Sequence, residues 1–203
     1  MNLEAHAEAT SRNTVAQPVV AAAAAPSPSL PPAEDVMQRR GQFRVSVTKD
    51  DLVFASAHFI TFAGHRCEGL HGHNYRARVT IEGELDRDTG WVIDFVEVKR
   101  IMRRLCGEID HLVLLPLEST RIGVVEGGET VKVAVDGQPR YVFPRRDCAL
   151  LPIPNTTVEM LARLLADRLR AALDTAGVPG LTAIEMELEE NFGQSAACRL
   201  TWK

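Results

Sequence analysis

No C-x-x-C pair occurs among the four cysteines, Cys67, Cys106, Cys148 and Cys198. Without that spacing an all-thiolate zinc knuckle and a disulfide framework are both poorly supported, so a reducing, cytoplasmic setting is expected. Aromatic residues are scarce, at 5% of 203, and the formal charge is -4. With neither a basic excess nor interleaved aromatics, no nucleic-acid or anionic-membrane partner is expected. No apolar run reaches the roughly 20 residues that a membrane helix needs. Residues 1–40 also lack the basic and Leu-rich regions of a secretory signal, because Ala21 to Ala25 runs straight into Pro26-Ser-Pro-Ser. A small molecule is the partner that remains.

What is present sorts into a tail and a folded domain. Residues 1–40 are rich in Ala, Pro, Ser and Thr, with almost no large apolar residue at either structural period. Such a segment buries too little surface to offset its ordering entropy, so a disordered tail is expected, with the domain over 41–203. Phe43, Val45 and Val47 alternate with Arg44, Ser46 and Thr48 as on a half-buried strand. Residues 52–59 read as a second strand-like piece in which Phe54, Ser56 and His58 share a face. Tyr75, Ala77, Val79 and Ile81 repeat the alternation, and His71 and His73 continue their parity. Asp94 is placed as the N-cap of a helix whose apolar face carries Phe95, Val98, Ile101, Met102, Leu105 and Ile109. Thr156-Thr157-Val158-Glu159 is a capping-box pattern opening a second helix through Leu173, with a stop near Gly177. Ile184, Met186 and Leu188, then Ala196, Cys198, Leu200 and Trp202, predict a closing hairpin. Residues 117–150 form an excursion between the helices, with 130–135 and 140–143 flanking Asp136-Gly137 as the arms of an inserted β-hairpin.

The densest chemistry is Cys67-Glu-Gly-Leu-His71-Gly-His73-Asn-Tyr75. On an extended segment the i, i+2 spacing of His71 and His73 points both rings to one face, where a single metal ion can take both. His58 is the candidate third ligand, ranked above His65, which sits in a Gly-containing loop without a parity argument. Three imidazoles suit zinc and leave a fourth position open for water or substrate, the mark of a catalytic site. On residues alone, Cys67 fits either a small buried hydrophobe or a thiolate lowered by a nearby cation. Asp110-His111 fits either a helix-end pair or a base with its orienting carboxylate, and capping alone accounts for Thr157 and Glu159. Glu190 has the parity of Ile184, Met186 and Leu188, so it faces inward, where an ionised carboxylate is costly unless paired or bound to a ligand.

In order along the chain stand Phe54-Ala-Ser-Ala-His58, Cys67-x-x-x-His71-Gly-His73-x-Tyr75, Gly90-Trp-Val-Ile-Asp94-Phe95, Asp110-His111, Asn155-Thr-Thr157-Val-Glu159 and Glu190. This series resembles the 6-pyruvoyltetrahydropterin synthase family from about Phe43 to the C-terminus, the insert excepted. The three-residue gap between Cys67 and His71 is similar to the branch of 6-carboxytetrahydropterin synthases of queuosine and 7-deazapurine biosynthesis. The resemblance implies an α+β T-fold, a four-stranded antiparallel sheet with two helices on one face, assembled through its sheet into a homohexamer with active sites at subunit interfaces. It implies Zn2+ on His58, His71 and His73, Cys67 as general base or proton shuttle, and Asp110 and His111 as an activating dyad reaching in from a neighbouring subunit. Glu190 would bind the guanidine-like edge of the pterin, with Thr157 in the same pocket. The implied reaction converts 7,8-dihydroneopterin triphosphate to 6-carboxy-5,6,7,8-tetrahydropterin, acetaldehyde and triphosphate, with Arg66 or Arg76 as candidate cations for the triphosphate.

Three features depart from the family pattern: Asn191 follows Glu190 where Thr is usual, the insert from Leu117 to Leu150 is unusual for compact members, and the tail over 1–40 has no counterpart. The rival readings are a pyruvoyl-forming or aldol-cleaving pterin lyase and, from another class, a non-catalytic pterin-binding module.

Overall fold

Alternating apolar and polar residues produce a long first strand, β1 (Phe43–His58), in the computed structural model. The structure describes residues 42–202 except residue 65, with only the backbone of Asp50 and Asp51; the expected tail and His65 lie outside the described residues. β1 pairs antiparallel with β2 (His71–Gly83) and joins the two strand-like pieces of the sequence into one element. From Thr48 to Val53 β1 advances five residues while its partner moves two, from Arg78 to Arg76. The excess is odd, so the bulge reverses the facing of the strand. Val47 is buried before it, whereas Leu52, Phe54, Ser56 and His58 are buried after it. That reversal aims His58 inward.

Two helices cover the same face. α1 (Phe95–Gly107) starts at Asp94, whose carboxylate accepts from the Val96 amide at 2.7 Å, and buries Val98, Ile101, Met102, Leu105 and Cys106. Phe95, expected on the apolar stripe, is 46% exposed, because it lies in the first turn, beyond the edge of the core. α2 (Val158–Ala176) buries Leu161, Leu164, Leu165, Leu169 and Leu173, each worth about 1.5–3 kcal/mol relative to exposure. Its N-cap is Thr157, whose hydroxyl accepts from the Met160 amide at 3.4 Å. The expected capping box from Thr156 does not form, since the buried Thr156 hydroxyl donates to the Phe59 carbonyl at 3.1 Å. Gly177 ends the helix in the left-handed region, at φ 68°.

The closing hairpin is β8 (Leu181–Asn191) and β9 (Gln194–Thr201). The sheet is larger than the four antiparallel strands implied by resemblance. Two short strands, β3 (Val113–Pro116) and β7 (Cys148–Leu151), extend it in parallel beyond β1, giving the six-stranded order β7-β3-β1-β2-β8-β9. Both are four-residue apolar runs without alternation, so periodicity did not reveal them. They are the stems of the insert, which contains the expected hairpin about Asp136-Gly137 and one further strand, making a three-stranded antiparallel sheet. Its strands are β4 (Ile122–Gly127), β5 (Thr130–Val135) and β6 (Gln138–Pro144). Gly123, Glu126 and Gly127 dilute the alternation of β4 and hid it. The insert has a small core of its own, Ile122, Val131, Val133 and Val135 with Phe59, Leu115 and Cys148.

One close approach fixes the far end of the sheet. A Cβ on Gly83 would stand 2.8 Å from the Gly180 carbonyl oxygen and 3.0 Å from Val92 Cγ1. Gly83→Ala is therefore expected to destabilise the chain by about 1–3 kcal/mol through overpacking against backbone. Urea unfolding measures it, and an unshifted midpoint would refute the contact.

Candidate active site

β1 ends where β2 begins, and the register places His58 opposite His71 and Ser56 opposite His73. Three imidazoles thereby converge, with ring centroids 4.7, 5.2 and 4.8 Å apart and their candidate ligand atoms all within 4.8 Å of one another. Backbone carbonyls select the tautomers. His58 Nδ1 donates to Thr156 O at 2.8 Å and His71 Nδ1 donates to Gly69 O at 2.9 Å, which leaves each Nε2 with its lone pair for a metal. Burial lowers the His58 pKa, and His71 and His73 add to that effect. The Thr156 bond and Glu190 oppose it without reversing it. A neutral imidazole is the form that ligates, so the donor set fits a metal ion.

The inward parity of Glu190 brings its carboxylate to the same cluster. Glu190 Oε1 lies 3.3 Å from His58 Nε2 and 3.9 Å from His73 Nε2, and it accepts from the Tyr75 hydroxyl at 3.1 Å. Tyr75 is fully buried, and burial, then the Glu190 charge, raises its phenol far above the ordinary range. The phenol therefore keeps its proton and serves Glu190 as a fixed donor. Its odd parity with His71 and His73 was the sequence signal for that placement. Asn191, which replaces the usual Thr, points away from the cluster: it is exposed, and its side-chain oxygen accepts from the Phe192 amide at 2.9 Å within the hairpin turn.

Cys67 occupies the loop between β1 and β2, where an isolated bridge pairs Thr61 with Cys67. It is half-buried, and burial raises the thiol pKa while Arg140 and Arg121 pull the other way. Thr157 stands at the mouth of α2, one residue from the carbonyl that holds His58. Asn155, beside it, brackets the Cys67 loop, because its side chain accepts from Thr61 N at 3.3 Å and donates to Thr61 O at 3.1 Å. No periodic pattern in the sequence marks this role, because side-chain amides follow neither structural period.

Asp110 and His111 do form a pair: His111 Nδ1 lies 2.9 Å from Asp110 Oδ1. The same oxygen accepts from the Ala55 amide at 2.8 Å, and the His111 amide donates to the Ala55 carbonyl at 2.6 Å. Burial pushes the Asp110 carboxyl up, but the bonds from Ala55 and His111 outweigh it and leave the pKa below the ordinary value. His111 adopts a left-handed backbone at φ 58°, uncommon among non-glycine residues although His is one of the side chains that enter this region more readily. Its ring is 81% exposed and borders a shallow concavity of about 510 Å³ lined by Ala55, Ala57, His73, Asn74 and Asp147. The groups around Cys67 are Arg140, Arg121, Asp136 and Glu68. The structure thus assembles the histidines with Glu190, and it holds the dyad and the thiol in separate surroundings.

Residues 46–200 match the family model described as 6-pyruvoyl tetrahydropterin synthase. The chain belongs to that family. A protein of Methanocaldococcus jannaschii, provisionally named a 6-carboxy-5,6,7,8-tetrahydropterin synthase, is 34% identical over 148 residues, covering 73% of this chain and 90% of the relative. The 6-carboxy-5,6,7,8-tetrahydropterin synthase of Aquifex aeolicus is 29% identical over 116 residues, 57% of this chain and 64% of the relative. Among solved structures, the 6-pyruvoyl tetrahydropterin synthase of Plasmodium falciparum superposes with a TM-score of 0.75 at 30% identity, covering 80% of this chain and all of that one. As a member of the synthase family, the chain carries the T-fold arrangement of its neighbours with an enlarged, mixed sheet. No helix of the described residues is long and apolar enough to cross a membrane.

Proposed function

We propose that the chain is a zinc-dependent 6-carboxy-5,6,7,8-tetrahydropterin synthase of queuosine and 7-deazapurine biosynthesis, acting on 7,8-dihydroneopterin triphosphate. The observation that carries this reading is the convergence of His58, His71, His73 and Glu190 in a chain whose curated relatives bear that synthase name. His58, His71 and His73 would hold the metal, the first two through Nε2 atoms freed by their carbonyl partners. Bound there, zinc supplies Lewis acidity toward the hydroxyls of the substrate side chain. Glu190 accepts the N–H donors of the pterin's guanidine-like edge, and the Tyr75 hydroxyl fixes its orientation. Thr157 lines the same pocket. Cys67 takes up and returns the proton of the side-chain carbon, and Arg140 beside it favours the thiolate. Asp110 holds Nδ1–H of His111, which leaves Nε2 as the basic atom of the dyad.

The dyad's exposure supports its service to a neighbouring subunit in a homohexamer, with each site completed at an interface. One incubation with 7,8-dihydroneopterin triphosphate tests the reaction. Acetaldehyde, triphosphate and 6-carboxytetrahydropterin are the expected products by mass spectrometry. The likeness to the Plasmodium enzyme favours a second reading, a pyruvoyl-forming synthase. Triphosphate release without acetaldehyde would establish that reading over the first, and binding without turnover would leave a pterin-binding module.

A further inference from the structure

The loop that carries Cys67 is a small hairpin gripped from both sides. Internally, Phe62 N donates to Arg66 O at 2.9 Å and Glu68 N donates to Ile60 O at 3.0 Å. On the side of the main core, Asn155 brackets Thr61 and the Thr156 hydroxyl holds Phe59 O. On the other side the partners come from the inserted sheet. Arg121 Nη1 donates to Phe62 O at 3.1 Å and to Arg66 O at 3.4 Å. Arg140 Nη2 donates to Glu68 O at 2.7 Å, and the Tyr141 hydroxyl accepts from Leu70 N at 3.2 Å. The insert therefore engages the backbone on both sides of Cys67.

These groups are themselves braced. Arg121 forms a two-pronged pair with Asp136, at 2.9 and 2.6 Å, which aims its remaining nitrogen at the loop. The Tyr141 ring packs 5.3 Å from Phe59, which is fully buried between β1 and the insert, and Arg140 lies over the Tyr141 ring at 5.4 Å. The side chain of Cys67 packs against the insert's own core. A free β-meander would need no such contacts.

We propose that the inserted sheet is a clamp on the catalytic loop, with Arg121, Arg140 and Tyr141 as positioning residues that set where the Cys67 sulfur stands. The proposal rests on Cys67 being the proton-transferring thiol. Its physical basis is that a misplacement near 1 Å costs on the order of 100-fold in rate, and a half-exposed loop does not hold that tolerance unaided.

The test is the double variant Arg140→Ala/Tyr141→Phe in the full chain, with Arg140→Lys as the conservative partner. Hydrogen exchange of peptides spanning 59–72 is read beside steady-state kinetics and thermal unfolding. Exchange in that loop is expected to quicken about tenfold as its amides lose protection, while α1 and α2 are unchanged. The expected kinetic effect is a fall in kcat of ~10–100-fold with KM moving less than about threefold, partly restored by Arg140→Lys. Unchanged loop exchange would overturn the clamp, as would faster exchange with wild-type kcat. A loss of kcat matched by global unfolding, with Arg140→Lys no better than the double variant, would reduce the insert to a stability element. If the wild-type chain turns over no dihydroneopterin triphosphate, the functional reading fails by itself. The exchange measurement then decides alone whether the insert holds the loop.

Discussion

His71→Ala is expected to leave a folded chain without stoichiometric metal, with turnover of dihydroneopterin triphosphate down about a thousandfold or more. Lewis-acid polarisation contributes several kcal/mol to reactions of this kind, and every 1.36 kcal/mol is tenfold in rate. His71 is the better choice of ligand to remove. His58 is 2% exposed and donates to Thr156 O, so His58→Ala also opens a cavity and strands a buried acceptor, at about 1–3 kcal/mol for the acceptor alone. The His71 ring is 35% exposed at the rim, and its Nδ1 partner, Gly69 O, belongs to an exposed residue that water can satisfy. Elemental analysis, thermal unfolding and turnover therefore separate metal loss from unfolding in His71→Ala, while His58→Ala is expected to lose stability as well. Full metal content and full activity in His71→Ala would sink the metal site. Purified wild-type chain without bound zinc would sink the choice of ion.

Much of this site could be read from parity. His58, His71, His73 and Glu190 each continue an apolar alternation, and the strands bring them to one face as alternation requires. The bulge between Thr48 and Val53 was not legible in itself. The two apolar patterns on either side of it carried the same information, because they are out of phase by an odd number of residues. What parity could not reach were groups whose role depends on backbone atoms of distant segments. Asn155 meets Thr61, Arg121 meets Phe62, and Asp110 meets Ala55 through contacts separated by tens of residues and without periodic trace. The sheet's parallel additions escaped for a related reason. β3 and β7 are four-residue strands that pair in parallel across the whole length of the insert, so no local pattern marks their partnership. The family resemblance supplied the roles proposed for Cys67 and the dyad, and the structure adds the contacts by which each is held.

Mixing two inactive variants is expected to restore activity, and this follows from where the thiol and the dyad stand. Cys67→Ala and His111→Ala should each lower turnover by about 10²–10⁴-fold, the usual contribution of a positioned acid or base. In one chain the charged groups around the half-buried Cys67 are Arg140, Arg121, Asp136 and Glu68, while the His111 ring is 81% exposed. If the dyad of one subunit serves the thiol of the next, a random assembly of equal amounts of the two variants contains intact sites. Each site then draws its thiol and its dyad independently from two subunits, so about one site in four receives both wild-type groups in a cyclic, head-to-tail arrangement. Co-expression or joint refolding of the two variants is therefore expected to recover roughly a quarter of wild-type turnover, from parents that are nearly dead. If both groups act within one subunit, no assembly of these variants can contain an intact site and the mixture stays inactive. A mixture as inactive as its parents would thus place the dyad in cis, and wild-type turnover by either variant alone would remove that residue from the reaction.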